Sequence, residues 1–180
     1  MSPVEDVLVR LAGPLGPAGS LEEQERLRET LKGGDPLVAA GRLLRAVGRQ
    51  PPLPPNVERA TYEFEAAEIL GDLAKDPRVR LELERALGDQ ILRSVALEAL
   101  ALCANPASED ALVALAKAEH ERPFLGEDDL VRLASAIGMV GGERAAATLA
   151  GLRAGERSPK VRHEIEVALA AIRGDTAGDQ

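Results

Sequence analysis

Ile69-Leu70-Gly71-Asp72-Leu73, Ala99-Leu100-Ala101-Leu102-Cys103, Ala136-Ile137-Gly138-Met139-Val140 and Ala168-Leu169-Ala170-Ala171-Ile172 align without gaps, and small or apolar residues recur in the same columns. The first column falls at positions 69, 99, 136 and 168, so the intervals are 30, 37 and 32 residues. A unit of that length is a helical pair, which buries its apolar face only against its neighbours; a continuous core forms by stacking. The columns predict an all-α chain of about nine to ten helices arranged as an α-α superhelix.

The residues around the columns carry a resemblance. Val161-Arg162, followed by Ala168-Leu169-Ala170-Ala171-Ile172 and Gly174-Asp175, resembles the inner helix of HEAT repeats, in particular the short variety also found in phycobilin lyases. Asp76-Pro77, Leu92-Arg93 and Val131-Arg132-Leu133-Ala134-Ser135-Ala136-Ile137-Gly138 are similar to further parts of that repeat. The resemblance covers residues 56–174, is looser upstream, and implies a right-handed, armadillo-type solenoid. It departs from the family pattern in two places. The Val-Arg pair of the third copy lies two positions late against its Ala-Ile-Gly, and Tyr62-Glu63 fills that slot in the first copy. Val79-Arg80 to Ala86-Leu87-Gly88 is a fifth match in a different phase, read as an outer helix with inner-helix character.

Composition agrees with stacked helices. Hydrophobic residues make up 45% of the 180 positions but aromatics only 2%, so the core is built from Ala, Leu, Val and Ile, small side chains that let good helix formers approach closely. No apolar run reaches the roughly 20 residues that span a bilayer. Glu5 and Asp6 stand where a secretory signal carries positive charge, so the expected location is cytoplasmic. A single cysteine forms no internal disulfide.

Punctuation separates the helices. Pro3 to Leu11 reads as a short amphipathic helix closed by Gly13-Pro14. Ser20-Leu21-Glu22-Glu23 supplies a cap and early acids for a helix ending at Gly33-Gly34, and Asp35-Pro36 opens a third that runs to Gly48. Pro51-Pro52-Leu53-Pro54-Pro55 stops any helix. The expected organisation is an N-terminal helical cap over 1–50, repeats over 56–174 and a flexible tail over 175–180. Inner helices are predicted at 56–74, 89–104, 127–140 and 159–173, outer ones at 77–88, 107–120 and 143–154.

No catalytic constellation, metal-ligand spacing or cofactor motif appears. Cys103 occupies the column filled by Leu73, Val140 and Ile172, which points it into the core as a small hydrophobe. His120 and His163 are flanked by acids, lie 43 residues apart and read as solvated. There is no Gly-x-Ser-x-Gly and no glycine-lysine phosphate loop. Pro51, Pro52, Pro54 and Pro55 have the composition of a polyproline ligand, but a stiff connector is the plainer reading.

One stripe stands out. Glu58, Glu65, Glu68 and Asp72 are spaced 7, 3 and 4 apart, which places them on one helical face with Tyr62. Val57, Ala60, Phe64, Ala67 and Leu70 or Gly71 mark the opposite, core-facing side. The HEAT resemblance implies that this helix lines the concave surface, so the stripe is the candidate protein-binding site: aligned carboxylates and one aromatic for a basic segment. On that reading Glu65→Lys leaves stability unchanged.

The net charge of −8 excludes non-specific binding to nucleic acid or membrane. HEAT-like DNA glycosylases, the enzymes the resemblance brings in, need a basic groove and aromatics that this chain lacks. The expectation is therefore a non-catalytic scaffold, monomeric or weakly dimeric, that binds another protein and needs no cofactor or metal. The alternative is an accessory enzyme or small-molecule carrier, lyase-like, with an apolar inter-repeat pocket near Tyr62 or Phe124.

Overall fold

The computed structural model describes residues 2–13, 21–155 and 158–174, and no strand occurs among them. Ten α-helices follow in order: α1 (Pro3–Ala12), α2 (Leu21–Lys32), α3 (Pro36–Gly48), α4 (Arg59–Leu73), α5 (Pro77–Ala86), α6 (Arg93–Cys103), α7 (Glu109–Glu121), α8 (Glu127–Val140), α9 (Glu143–Gly155) and α10 (Pro159–Arg173), with a 3-10 turn at Pro106–Ser108 before α7. These are the helices that the punctuation predicts, with ends shifted by a few residues. The cap at Ser20, the glycine-proline loop after Gly13 and the tail over 175–180 lie outside the described residues.

Four helices start with proline directly after Ser or Asp: Ser2-Pro3, Asp35-Pro36, Asp76-Pro77 and Ser158-Pro159. Proline's fixed φ suits the first turn, where its missing N–H forfeits no helical bond. The preceding side chain then satisfies the open amides. Asp35 accepts from the N–H groups of Leu37 and Val38 at 2.9 and 3.2 Å, and Asp76 from Arg78 N–H at 2.9 Å. Ser2 and Glu5 form a reciprocal capping box. Ser158 instead donates its hydroxyl to Glu127 Oε2 at 2.5 Å, joining the start of α10 to the start of α8.

By internal contacts the chain divides into Met1–Ala99 and Leu100–Gln180, the division falling inside α6. In the first unit α4 is central, packed against α1, α2, α3 and α5. The proline run lies within this unit. Residues 51–58 are non-helical, Pro51 is buried, and its carbonyl accepts from Arg59 Nη2 at 2.5 Å. Because α1, α2 and α3 each pack directly on α4, the run is a connector inside one packed body. In the second unit α8 packs against α7, α9 and α10, and α7 also packs against α9.

The column template is a register of burial. Ile69, Ala99, Ala136 and Ala168 in the first column, and Leu70, Leu100, Ile137 and Leu169 in the second, are at most 5% exposed. The fourth column, Asp72, Leu102, Met139 and Ala171, is exposed in every copy. Each buried Leu or Ile of the second column contributes about 1.5–3 kcal/mol of transfer free energy.

Candidate functional site

The acidic stripe faces a neighbouring helix. Arg28 of α2 donates from Nε and Nη2 to Glu65 Oε2 at 3.3 and 2.8 Å, and its Nη2 also reaches Glu68 Oε2 at 2.5 Å. One turn on, Lys32 Nζ lies 2.7 Å from Asp72 Oδ2. Hydrogen bonding between these last two holds the Asp72 carboxyl below its usual range and raises Lys32. Glu65 is buried, Glu68 half-buried and Asp72 exposed. Glu58 is exposed and occupies the N-cap position of α4 without a side-chain cap bond. Three of the four carboxylates are thus spent on α2.

The expected facing of α4 requires correction. Tyr62 is fully buried, whereas Phe64, expected in the core, is 44% exposed, and Ala60 is also exposed. Val57, Ala67 and Leu70 of the expected core side are buried, but burial in α4 extends round the helix through Tyr62, Glu65, Ala66, Ile69, Gly71 and Leu73. An aromatic ring gains by full burial, and a buried carboxylate is tolerated where a guanidinium meets it. The second condition holds on this face because α2 brings Arg28 alongside Glu65.

Around Tyr62 the first unit holds a compact polar cluster. The Arg59 guanidinium carbon stands 5.5 Å from the Tyr62 ring centroid, an arrangement in which cation and π face attract. Arg59 Nη1 and Tyr62 Oη are buried with no hydrogen-bond partner among the described residues. Glu5, also buried, accepts from Ser2 N–H at 2.6 Å and lies 3.5 Å from Arg49 Nη1. Burial pushes the Tyr62 phenol up to about 12, with the negative charge of Glu5 adding to the shift and Arg59 opposing it. A phenol held protonated so far above neutrality is a structural group and a poor general base.

The remaining candidates are quickly placed. Cys103 is half-buried, not sunk in the core as its column predicts, and Ile172 of the same column is likewise half-buried. His120 and His163 are exposed. Among the described residues no group of His, Cys, Asp or Glu is arranged to hold a metal ion, and no helix is long and apolar enough to cross a membrane. An apolar cleft of the kind the carrier alternative requires exists between α7 and α9, but neither Tyr62 nor Phe124 lines it.

What sequence reasoning missed is the exposed column. In the second unit Leu102 of α6, Met139 of α8 and Val167 of α10 are 45%, 56% and 49% exposed. Val167 lies four residues before Ala171 of the fourth column, hence on the same helical face. Met139 and Val167 are the chain neighbours of Gly138 and Ala168, where α8 and α10 approach to backbone distance. The available signal was Asp72, the one charged residue in the template, which marks its column as outward-facing. No family model matches the chain, and no curated protein and no solved structure matches it significantly.

Proposed function

We propose that the chain is a non-catalytic adaptor of the HEAT-repeat type, which holds a protein partner on the outward column of its repeated helices. The observation that carries this reading is the pair Met139 and Val167, two large apolar side chains left about half exposed beside the α8–α10 seam. Leu102 occupies the same column on α6. Single exposed hydrophobes are ordinary; Leu102 and Met139 recur in one repeat column and Val167 lies one turn from it on the same face, the pattern that binding faces of repeat proteins use. Rigid display supports the reading too, since helices locked at backbone distance lose little freedom when a partner docks.

The partner chemistry shifts accordingly. A basic segment seated on Glu65, Glu68 and Asp72 would have to displace Arg28 and Lys32, which already pair with them. An apolar anchor on Met139 and Val167 has no such competitor. The test is affinity capture from the source lysate with the wild type and with a Met139→Glu, Val167→Glu variant shown to be folded by circular dichroism. A partner held by the wild type and lost by the variant supports the adaptor reading; a partner retained by both, or none captured, removes its basis.

A further inference from the structure

The second unit contains a groove that the adaptor reading does not use. Val113, Ala116, Lys117 and His120 stand three and four residues apart on one face of α7. Opposite them α9 presents Arg144, Ala147, Thr148, Gly151 and Leu152. The two helices run parallel. At their N-terminal ends Glu109 Oε1 accepts from Ala145 N–H at 3.0 Å, and at their C-terminal ends a methyl group built on Gly155 would lie 3.9 Å from His120 Nδ1. Helix α8 packs against both, and the groove between them encloses about 320 Å³.

Small residues keep the groove open. A methyl group built on Gly151 would meet nothing within 4 Å. Val113, Ala116 and Leu152 give a buried apolar floor. The lining runs from Val113 to His120 on α7 and from Arg144 to Leu152 on α9, and these seven and eight residue steps at 1.5 Å each give roughly 10–12 Å. The volume falls at the lower end of the range of small-molecule sites, which suits a slender body and excludes a bulky one.

Lys117 and Arg144 give this lining two cations, and the His120 imidazole adds a hydrogen-bond donor, on a chain whose net charge is −8. Lys117 and His120 are exposed, and neither makes an ion pair among the described residues. Arg144 Nη1 lies 2.5 Å from Asp110 Oδ1, an exposed pair that shows how this guanidinium meets a carboxylate. Glu109, the chain neighbour of Asp110, accepts from Ala145 N–H at the helix start.

We propose that the α7–α9 groove binds an amphiphilic carboxylate: a molecule with a slender apolar body lying along Val113, Ala116, Ala147 and Leu152, and one anionic end held by Lys117 and His120. Length, volume and apolar floor set the body; the cationic rim sets the charge of the head. The inference stands apart from the adaptor reading, because Met139 and Val167 do not line the groove.

The probe is decanoate, titrated into isotope-labelled full-length protein and followed by amide chemical shifts, with octanoate and decylamine in parallel. Saturable shifts confined to α7 and α9 are expected, with decanoate binding roughly fifteenfold more tightly than octanoate, about fourfold for each of two buried CH2 groups, and decylamine failing to bind. Gly151→Leu should fill the groove and abolish binding without loss of helicity, and Lys117→Glu should weaken it at least tenfold. The Met139→Glu, Val167→Glu variant should bind decanoate as the wild type does. Absence of saturable groove shifts, equal binding of decanoate and decylamine, or undiminished binding by Gly151→Leu would overturn the proposal. So would shifts induced there by an acidic leucine-glutamate helical peptide and not by decanoate, which would make the groove a helix-docking site.

Discussion

Gly138 and Ala168 bring α8 and α10 to backbone distance: a methyl group built on Gly138 would stand 2.7 Å from Ala168 Cβ and 2.9 Å from its Cα. Gly138 is the third column of one repeat copy and Ala168 the first column of the next. Small residues in these columns therefore set how closely one repeated helix approaches another.

Gly138→Ala should destabilise the protein by up to about 2 kcal/mol, because an overpacking cost of roughly 1–3 kcal/mol outweighs the gain of about 1 kcal/mol in helix propensity. Gly151→Ala, where the added methyl meets open space, should be neutral or stabilising by up to about 1 kcal/mol. Urea denaturation of the two variants measures the difference; equal effects would mean that α8 and α10 do not meet at Gly138.

Glu65→Lys should cost about 3 kcal/mol, reversing the expectation drawn from an exposed stripe. The substitution places a second cation against Arg28, which lies 2.8 Å from the buried Glu65 carboxylate. Glu58→Lys, at an exposed position with no side-chain cap bond, should stay within about 0.5 kcal/mol of the wild type. Denaturation midpoints at fixed pH separate the two cases.

Tyr62 is the chain's one tyrosine and there is no tryptophan, so its ionisation can be followed directly by ultraviolet absorbance. The native phenol holds its proton to about 12, against 10.0 for a free side chain. The folded state thus retains a proton that the unfolded chain releases. Stability from this group is complete below pH 10 and is lost as pH rises toward 12. Tyr62→Phe removes a buried hydroxyl that has no partner among the described residues; it should be neutral or stabilising by about 1 kcal/mol and should flatten the alkaline loss.

Ala104 closes α6 with φ of 48°, a left-handed conformation that costs an alanine roughly 1 kcal/mol relative to glycine. Ala104→Gly should raise the thermal midpoint by a few degrees, about 2–4 °C per kcal/mol for a chain of this size. A lowered midpoint would contradict the strain.

Helix boundaries were legible because they rest on local chemistry. Ser-Pro and Asp-Pro starts, and the proline run after Gln50, act within a few residues of the chain. The repeat columns were legible too, since their period appears in the sequence itself. The facing of α4 was not. Acids and apolar residues alternate around that helix, and four neighbouring helices pack on it, so no single face is dry. The deciding partner, Arg28 and Lys32 spaced four apart on α2, is visible in the sequence, but nothing local says that α2 lies against α4. Carrying the buried first and second columns back through Ala66 and Glu65 to Tyr62 would have placed the ring inside. The α7–α9 groove was out of reach because it arises from what Gly151, Ala116 and Ala147 lack.

One burial register repeats along the chain. Its most direct test is a paired alanine scan of the second and fourth columns, read by urea unfolding. Leu70→Ala, Leu100→Ala, Ile137→Ala and Leu169→Ala should each cost about 2–5 kcal/mol, while Leu102→Ala and Met139→Ala should remain within about 0.5 kcal/mol of the wild type. Comparable losses in both columns, or larger losses in the fourth, would contradict the register and the adaptor face built on it.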